Sequence, residues 1–207
     1  MVKALKDNFQ QLYEIADSQG GYFTAKQASD VGYSTRMQTY KVQTGDWERE
    51  WRGVYRLHFY PSARPDDLMV WYLWSSDRAG TPEGVYSHDT ALELHDLSTW
   101  TGNRLHMTVP ERFKRRLYPK PLRLHRAELR DKDKTKIAGV EVTSVVRTLS
   151  DLLESNSVQR HHLVEAMSDA RKKGLISLSD LEEGRSDRNF VLLCQLHHDS
   201  LNFSPET

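Results

Sequence analysis

The sequence predicts an α+β protein of two domains, and the order of its segments supports this. Residues 1–60 contain three helix-like segments followed by two strand-like segments. A breaker-rich stretch, Pro-Ser-Ala-Arg-Pro, occupies residues 61–65 and is typical of a linker. Helices, then strands, then helices follow it, which is typical of an α+β domain. The predicted domains are therefore residues 1–62 and residues 66–207.

The N-terminal segment predicts three helices. Apolar residues recur at three- and four-residue spacing between Leu5 and Ala16, and Gly20-Gly21 ends this first helix. Thr24 caps a short second helix, Gly32 makes the turn, and Ser34 caps a third helix that runs to about Thr44. Two short helices joined by a glycine-containing turn are typical of a helix-turn-helix.

A β-hairpin is predicted directly after the third helix. Residues 47–51 and 54–59 alternate apolar with polar side chains, and Arg52-Gly53 supplies the turn between them. A hairpin in this position is typical of the wing of a winged helix-turn-helix. In such a domain the third helix enters the major groove of DNA and the wing lies against the backbone.

The candidate DNA contacts are the polar and basic side chains of this helix and hairpin. They are Ser34, Thr35, Arg36, Gln38, Thr39, Lys41, Gln43, Arg49, Arg52 and Arg56. Arg36 is suited to guanine and Gln38 to adenine, whereas the arginines of the hairpin are suited to phosphates. The spacing of Tyr33, Met37 and Tyr40 predicts that these three side chains pack in the core.

A protein-binding role for the same domain is the alternative. Residues 1–60 hold eight basic and seven acidic residues, without the excess of positive charge typical of avid DNA binders. Asp46, Glu48 and Glu50 would repel phosphates if they faced a duplex. The pattern favours DNA binding and leaves a protein-binding wing open.

The charge is distributed unevenly along the chain. Overall, 29 basic residues balance 29 acidic ones, but residues 104–136 hold twelve Lys and Arg against four Asp and Glu. This segment is either a solvated surface or a surface that binds a polyanion or a partner protein. The candidate partner contacts within it are Arg112, Lys114, Arg115, Arg116, Arg123 and Arg126.

The elements predicted for the second domain follow from periodicity and caps. An apolar helix spans residues 68–74, after Asp66 or Asp67, and Ser87 caps the next helix. Strands are predicted over residues 104–109, 122–127, 136–138 and 140–142. Further helices are predicted to open at Ser144, Ser157 and Ser177, and a last one covers residues 189–201.

The cysteine content and the lack of long apolar segments in the sequence indicate the cellular compartment. The single cysteine, Cys194, cannot form an internal disulfide and is typical of a reducing environment. No segment approaches the roughly 18–20 apolar residues of a membrane span, and the N-terminus does not resemble a signal peptide. We therefore expect a cytoplasmic protein that does not associate with membranes.

The spacing of histidines and carboxylates predicts neither a metal site nor an active site. His88 and His95 lie two turns apart on one helix, about 10 Å from each other, and Cys194 with His197 or His198 offers too few ligands. His88 is interpreted as a core histidine. No phosphate-binding loop or nucleophile motif occurs. We expect no enzyme activity, no cofactor and no metal; a cryptic metal-dependent nuclease acting through Glu141 is the alternative.

Several of these segments, in this order and spacing, resemble the AbiEi-type antitoxins, a family of winged-helix regulators from type IV toxin–antitoxin systems. The segments that carry the resemblance are residues 21–28, 32–34, 45–49, 52–57, 87–92, 108–110, 124–127 and 139–152. By position, residues 34–43 match the family's recognition helix and residues 49–56 match its wing.

The resemblance implies an autorepressor that binds double-stranded DNA at repeats in its own promoter. It also implies that the C-terminal domain counters a cognate nucleotidyltransferase-like toxin, through its basic surface. A stand-alone transcriptional regulator without a toxin partner is the alternative, and the sequence leaves open whether a monomer or a dimer binds the operator.

Overall fold

The chain folds as a mixed α+β protein, seen in a computed structural model that describes residues 2–61, 68–97, 104–115, 118–185 and 187–202. Its backbone contacts separate two units. The first unit comprises residues 1–84 with 138–140, and the second comprises residues 85–137 with 141–207.

The described residues of the first unit form four helices and a three-stranded sheet. In chain order they are α1 (Val2–Ser18), β1 (Tyr22–Thr24), α2 (Ala25–Asp30), α3 (Thr35–Gln43), β2 (Trp47–Trp51), β3 (Val54–Leu57) and α4 (Leu68–Trp74). The sheet is antiparallel with the order β1-β3-β2. Strand β1 was not predicted from the sequence, because three residues are too short to show a period of two.

Local side-chain caps start α2 and α3 where the sequence predicts. The Thr24 hydroxyl accepts a hydrogen bond from the Gln27 backbone N–H at 3.1 Å, and the Gln27 side chain accepts one from the Thr24 N–H at 2.8 Å. This reciprocal pair is a capping box. Ser34 caps α3 by accepting from the Met37 N–H at 3.4 Å. Between the helices Gly32 has a φ of +97°, a backbone conformation that favours glycine.

Aromatic packing joins the hairpin to the helices. The core of the first unit consists of Leu12, Ala16, Phe23, Ala28, Tyr33, Trp47 and Leu57, all buried. The Trp47 ring lies edge-on to Phe23 at 4.8 Å and to Tyr33 at 5.1 Å between ring centroids. Trp47 begins β2 and Tyr33 precedes α3, so this packing fixes the hairpin relative to α3.

The two faces of the small sheet have different neighbours. Tyr55 and Leu57 on β3 belong to the core shared with the helices, so Val54 and Arg56, at the alternate positions, point to the other face. Helix α4 contacts all three strands, and Trp71 of α4 lies edge-on to Trp51 at 5.1 Å.

This packing groups α4 with the first unit. The boundary between the two units therefore falls after Gly84, whereas the sequence analysis predicted a linker at residues 61–65. An apolar helix of seven residues must bury its surface against some neighbour, and here the neighbour is the sheet that precedes it in sequence.

Among its described residues, the second unit holds a five-stranded sheet, five α-helices and one 3₁₀ helix. They are β4 (Val85–Tyr86), α5 (His88–Leu94), β5 (Leu105–Val109), β6 (Leu122–Arg126), a 3₁₀ helix (Asp131–Asp133), β7 (Lys134–Ile137), β8 (Val140–Thr143), α6 (Val145–Ser155), α7 (Arg160–Lys172), α8 (Leu178–Gly184) and α9 (Arg188–Asn202). The strand order is β6-β5-β4-β8-β7. Strand β4 runs antiparallel to β5 and parallel to β8, and β5 runs parallel to β6.

The helix starts predicted here are partly confirmed. Ser144 accepts from the Arg147 N–H at 3.4 Å, and Ser177 accepts from the Asp180 N–H at 3.1 Å, as expected of caps. Ser157 does not open α7, which begins at Arg160, one turn later. Ser87 precedes α5 but makes no cap bond, because its hydroxyl bonds the Thr108 hydroxyl at 2.8 Å instead. The proposed cap at Asp66 or Asp67 lies outside the described residues.

One hydrophobic core cluster of the second unit lies among its helices. Its largest fully buried members include Leu149, Leu152, Leu163, Met167 and Leu193. Helices α6 and α7 each pack against α9. Within the described part of the chain, no helix has the length and apolar character that crossing a membrane requires.

Candidate nucleic-acid interface

Helix α3 presents one continuous polar stripe to solvent. Arg36, Thr39, Tyr40 and Gln43 are all exposed, and their spacing of three, four and seven residues places them on one face. Thr35 is also exposed at the start of the helix. With Thr35, the stripe therefore retains four residues that the sequence analysis assigned to DNA, and it adds Tyr40.

The position of Tyr40 corrects an expectation. Its side chain was predicted to pack in the core with Tyr33 and Met37, but it is 61% exposed. Tyr33 is buried and Met37 is partly buried against the core, as predicted. The helix is rotated so that Gln38, and not Tyr40, completes the inward face.

Gln38 is not available to read a base. Its side chain is only 4% exposed, and its amide nitrogen lies within hydrogen-bond distance of the Ala25 carbonyl at 3.1 Å, the Ser29 hydroxyl at 3.0 Å and the Tyr33 carbonyl at 2.9 Å. These acceptors belong to α2 and to the turn before α3. Gln38 thus ties the two helices together, and its predicted contact with adenine is wrong.

Truncation of Gln38 is expected to destabilise the fold. Gln38→Ala removes a buried donor from two backbone carbonyls, which should lower the free energy of unfolding by about 2–3 kcal/mol. Gln43→Ala, on the exposed face of the same helix, should change it by less than about 0.5 kcal/mol. Urea unfolding followed by circular dichroism measures both; equal effects would show that the Gln38 amide is not buried.

Lys41 is engaged within the protein. Its ammonium group lies 2.9 Å from the Asp46 carboxylate, which also accepts a hydrogen bond from the Thr44 hydroxyl at 2.9 Å. The bonds from Lys41 and Thr44 lower the pKa of Asp46 below its usual value. Lys41 is therefore a weaker candidate for a phosphate contact than the sequence suggested.

Arg56 is also engaged, on the side of the sheet away from the core helices. Its guanidinium donates to Glu48 and, at 3.2 Å, to Glu50, and its side chain is only 13% exposed. Glu48 further pairs with His58 at 2.6 Å, and the bonds from His58 and then Arg56 lower the pKa of Glu48. Because two carboxylates already bind Arg56, it is a weaker candidate for a phosphate contact than the sequence suggested, and that contact stays a prediction.

The same contacts weaken the objection that Glu48 and Glu50 would repel the phosphates of DNA. Glu48 and Glu50 bind Arg56 on the far face of the sheet, whereas Arg49 pairs with Tyr55 in the strand register and so points to the face that carries the core helices. Arg49 and Arg52 are both exposed. The hairpin therefore separates its acidic side chains from Arg49.

The structure describes five of the six residues of the predicted partner surface. Arg123 and Arg126 are exposed on β6, and Arg112, Lys114 and Arg115 are exposed in the segment before it. Arg126 donates to the Glu111 carbonyl at 2.8 Å. Arg116 lies outside the described residues. The structure does not test partner binding, which stays a prediction.

Three histidines that the sequence analysis did not associate lie together in the second unit. One ring nitrogen from each of His88, His106 and His125 falls within 4.8 Å of the other two. The His88 ring stacks on His125 at 3.6 Å, and Nε2 of His125 lies 3.3 Å from Nδ1 of His106. We call these three residues the histidine cluster. His95, which the sequence analysis paired with His88, instead bonds the Thr143 carbonyl at 2.8 Å.

Burial keeps the histidine cluster neutral. It lowers the pKa of His88 to about 3, with a further contribution from His125, and the pKa of His106 and His125 to about 4. Sequence separation hid the cluster, since its members are 18 and 19 residues apart. The only signal in the sequence was that each lies on or beside a predicted strand or helix start.

Comparison with known proteins supports the resemblance drawn from the sequence. Residues 10–58 match the family model described as transcriptional regulator, AbiEi antitoxin. The match runs from α1 to the end of the hairpin and so covers α3 and the hairpin arginines. Comparison with curated proteins gives no match.

Proposed function

We propose that this chain, whose residues 10–58 match the AbiEi antitoxin family of transcriptional regulators, binds double-stranded DNA through a winged helix-turn-helix formed by α2, α3 and the β2–β3 hairpin. The observation that carries the proposal is the exposed stripe of α3. Its polar side chains face solvent, while the aromatic core and Gln38 hold its other face.

The arrangement suits the major groove. A nine-residue helix with Arg36 in its first turn can present that side chain to a base edge, where Arg pairs with the two acceptors of guanine. Thr35, Thr39 and Gln43 add hydroxyl and amide groups along the same helix. Tyr40 offers a hydroxyl and a ring beside them, suited to a phosphate or a thymine methyl.

The hairpin supplies the phosphate contacts in this proposal. Arg52 lies at its turn and Arg49 on β2, both exposed. The carboxylates of Glu48 and Glu50 are bound to Arg56 and so oppose a duplex less than free carboxylates would.

The proposed biological role is that of the family whose model residues 10–58 match. We propose a repressor of its own promoter that acts as an antitoxin, with a nucleotidyltransferase-like toxin as partner of the second unit's basic segment. The role requires no catalysis and no cofactor. Co-expression with the product of a neighbouring reading frame tests the toxin arm, since an antitoxin restores growth and a stand-alone regulator does not.

DNA binding is tested with single arginine variants on a fragment of the chain's own promoter. Arg36→Ala should weaken binding by about 1–3 kcal/mol and relax the preference for one base pair, because it removes a base contact. Arg52→Ala should weaken binding to all sequences and reduce the slope of log K against log salt by about 1, because it removes one phosphate contact. Gel-shift titrations at several salt concentrations give both quantities.

Arg160→Ala, on an exposed residue of α7, is the matched control and should bind as the wild type does. Wild-type affinity in both Arg36→Ala and Arg52→Ala at matched salt would refute the assigned DNA face.

A further inference from the structure

We propose that the histidine cluster of the second unit, His88, His106 and His125, binds one divalent transition-metal ion of the zinc class. The site uses none of the residues assigned to DNA and stands independently of the proposed function. It lies where the start of α5 meets β5 and β6.

Strand register explains why the three side chains converge. In the parallel pair β5–β6, His125 lies opposite Thr108, and His106 lies two residues before Thr108. Because side chains alternate along a strand, His106, Thr108 and His125 share one face of the pair. Ser87 bonds Thr108 on that face, and this places the adjacent His88 over the same surface.

The distances match the needs of a small ion. Nδ1 of His106 and Nε2 of His125 are 3.3 Å apart. Two nitrogens bound tetrahedrally to zinc at about 2.0–2.1 Å from the ion are themselves about 3.4 Å apart. The third imidazole nitrogen lies within 4.8 Å of both. Because the His88 ring is stacked on His125 with 13° between the ring planes, the His88 side chain must turn away from this stacking for all three nitrogens to face one ion.

The backbone conformation of His88 supports a binding site at the histidine cluster. Its φ is +51°, a left-handed conformation that is unfavourable for a residue with a Cβ. Such strain persists where the surrounding structure holds it, and it concentrates at binding sites. Here it places the His88 ring, which is 7% exposed, against His125.

The charged side chains beside the histidine cluster indicate whether its ligand is a cation or an anion. The Asp89 carboxylate is buried, with one oxygen 3.4 Å from Nδ1 of His106. Its other oxygen, Oδ1, has no hydrogen-bond partner within the described part of the chain. Arg123, opposite His106 in the register, opposes a cation. A buried carboxylate with an unused oxygen, next to three neutral imidazoles, offsets that charge and favours a divalent cation.

Solvent reaches the edge of this arrangement. Asp89 also lines an open groove of about 590 Å³, together with Asp96, Glu165 and Asp169. The groove gives a cation a solvent path to Asp89; of the other acidic side chains that line it, Asp96 pairs with Lys173 and Asp169 with Lys172. Three imidazoles leave the fourth position of a tetrahedral ion open, and imidazole ligands favour zinc, cobalt and copper over magnesium and calcium.

Cobalt titration tests the site directly. The full chain, purified without a histidine tag and stripped with EDTA, is titrated with Co²⁺ while visible absorption is recorded. We expect an intense visible band that saturates at one Co²⁺ per chain and is abolished by Zn²⁺. His106→Ala and His125→Ala should each weaken Co²⁺ binding by at least about tenfold, as loss of a partner in a metal site does.

The control is the exposed pair on α7. His161→Ala/His162→Ala removes two histidines that also lie close together, with ring centroids 3.9 Å apart, and should leave the titration unchanged. Circular dichroism reports whether each variant folds. His125→Gln, on the partly exposed edge strand β6, serves if alanine disrupts the sheet.

The possible outcomes separate cleanly. Loss of the band in the variants of the histidine cluster alone supports the site. A wild-type chain without a saturable band, a band lost in the α7 control, or folded His106→Ala and His125→Gln variants that bind as the wild type would each overturn it. None of these results bears on the DNA titrations.

Discussion

Replacing Trp47 with alanine is expected to cost about 3–5 kcal/mol of the free energy of unfolding, the largest effect among the variants of the first unit. The Trp47 side chain is 3% exposed and contacts Phe23, Tyr33 and Tyr55 through its ring. Its removal leaves a cavity where the hairpin meets the helices. Because net stabilities of domains are about 5–15 kcal/mol, this loss removes a large fraction of the free energy of unfolding.

Trp51→Ala is the matched control. Trp51 has the same chemistry and lies on the same strand, but it is 38% exposed and its ring contacts Trp71 at the edge of the sheet. Its truncation should cost about 1 kcal/mol. Chemical denaturation compares the two variants, and a Trp47→Ala chain as stable as Trp51→Ala would mean that Trp47 does not hold the hairpin.

Loss of Arg147 should produce the largest effect in the second unit. Its Nε donates to Asp151 one turn later at 2.8 Å, and Asp151 is buried. The second oxygen of Asp151 has no hydrogen-bond partner among the described residues. Arg147→Ala strands a buried carboxylate, which should destabilise the chain by about 3–5 kcal/mol at neutral pH.

The pH dependence of this penalty has a definite sign. Burial raises the pKa of Asp151 in spite of Arg147, so the folded state binds the carboxyl proton more tightly than the unfolded state does. The penalty of Arg147→Ala is therefore full only above the still higher pKa that Asp151 has without Arg147, and it is lost as the pH falls below the pKa of Asp151 in the wild-type chain. Thermal melts between neutral and acidic pH measure this trend.

Asp151→Asn in the Arg147→Ala background should recover most of the loss, because it removes the stranded charge. A double variant that is no more stable than Arg147→Ala alone would instead assign the effect to lost packing of the arginine stem.

The parts of the fold that were predicted depend on neighbouring residues in sequence. Thr24, Ser34 and Gly32 fix helix starts and the turn through bonds that span three residues or fewer. Alternation over residues 47–51 and 54–59 likewise predicted the hairpin, whose second strand ends at Leu57 in the structure. The short strands β1 and β4 escaped prediction, because their pairing with distant strands defines them.

In the candidate site, too, the features that the sequence did not predict depend on residues that are distant in sequence. Spacing placed α3 correctly but not the rotation of its inward face, which Gln38 sets by bonding carbonyls up to 13 residues away. Arg56 looked free in sequence, yet cross-strand pairing places it beside Glu48. The histidine cluster depends on the parallel register of β5 and β6, which no local pattern reports.

Methylation interference on the promoter fragment tests the central claim most directly, because methylation of guanine N7 blocks the major groove. We predict interference at one or more guanines with the wild-type chain, loss of that interference in Arg36→Ala, and its retention in Arg52→Ala. Binding that is indifferent to guanine N7 methylation, or an Arg36→Ala pattern identical to wild type, would contradict insertion of α3 into the major groove.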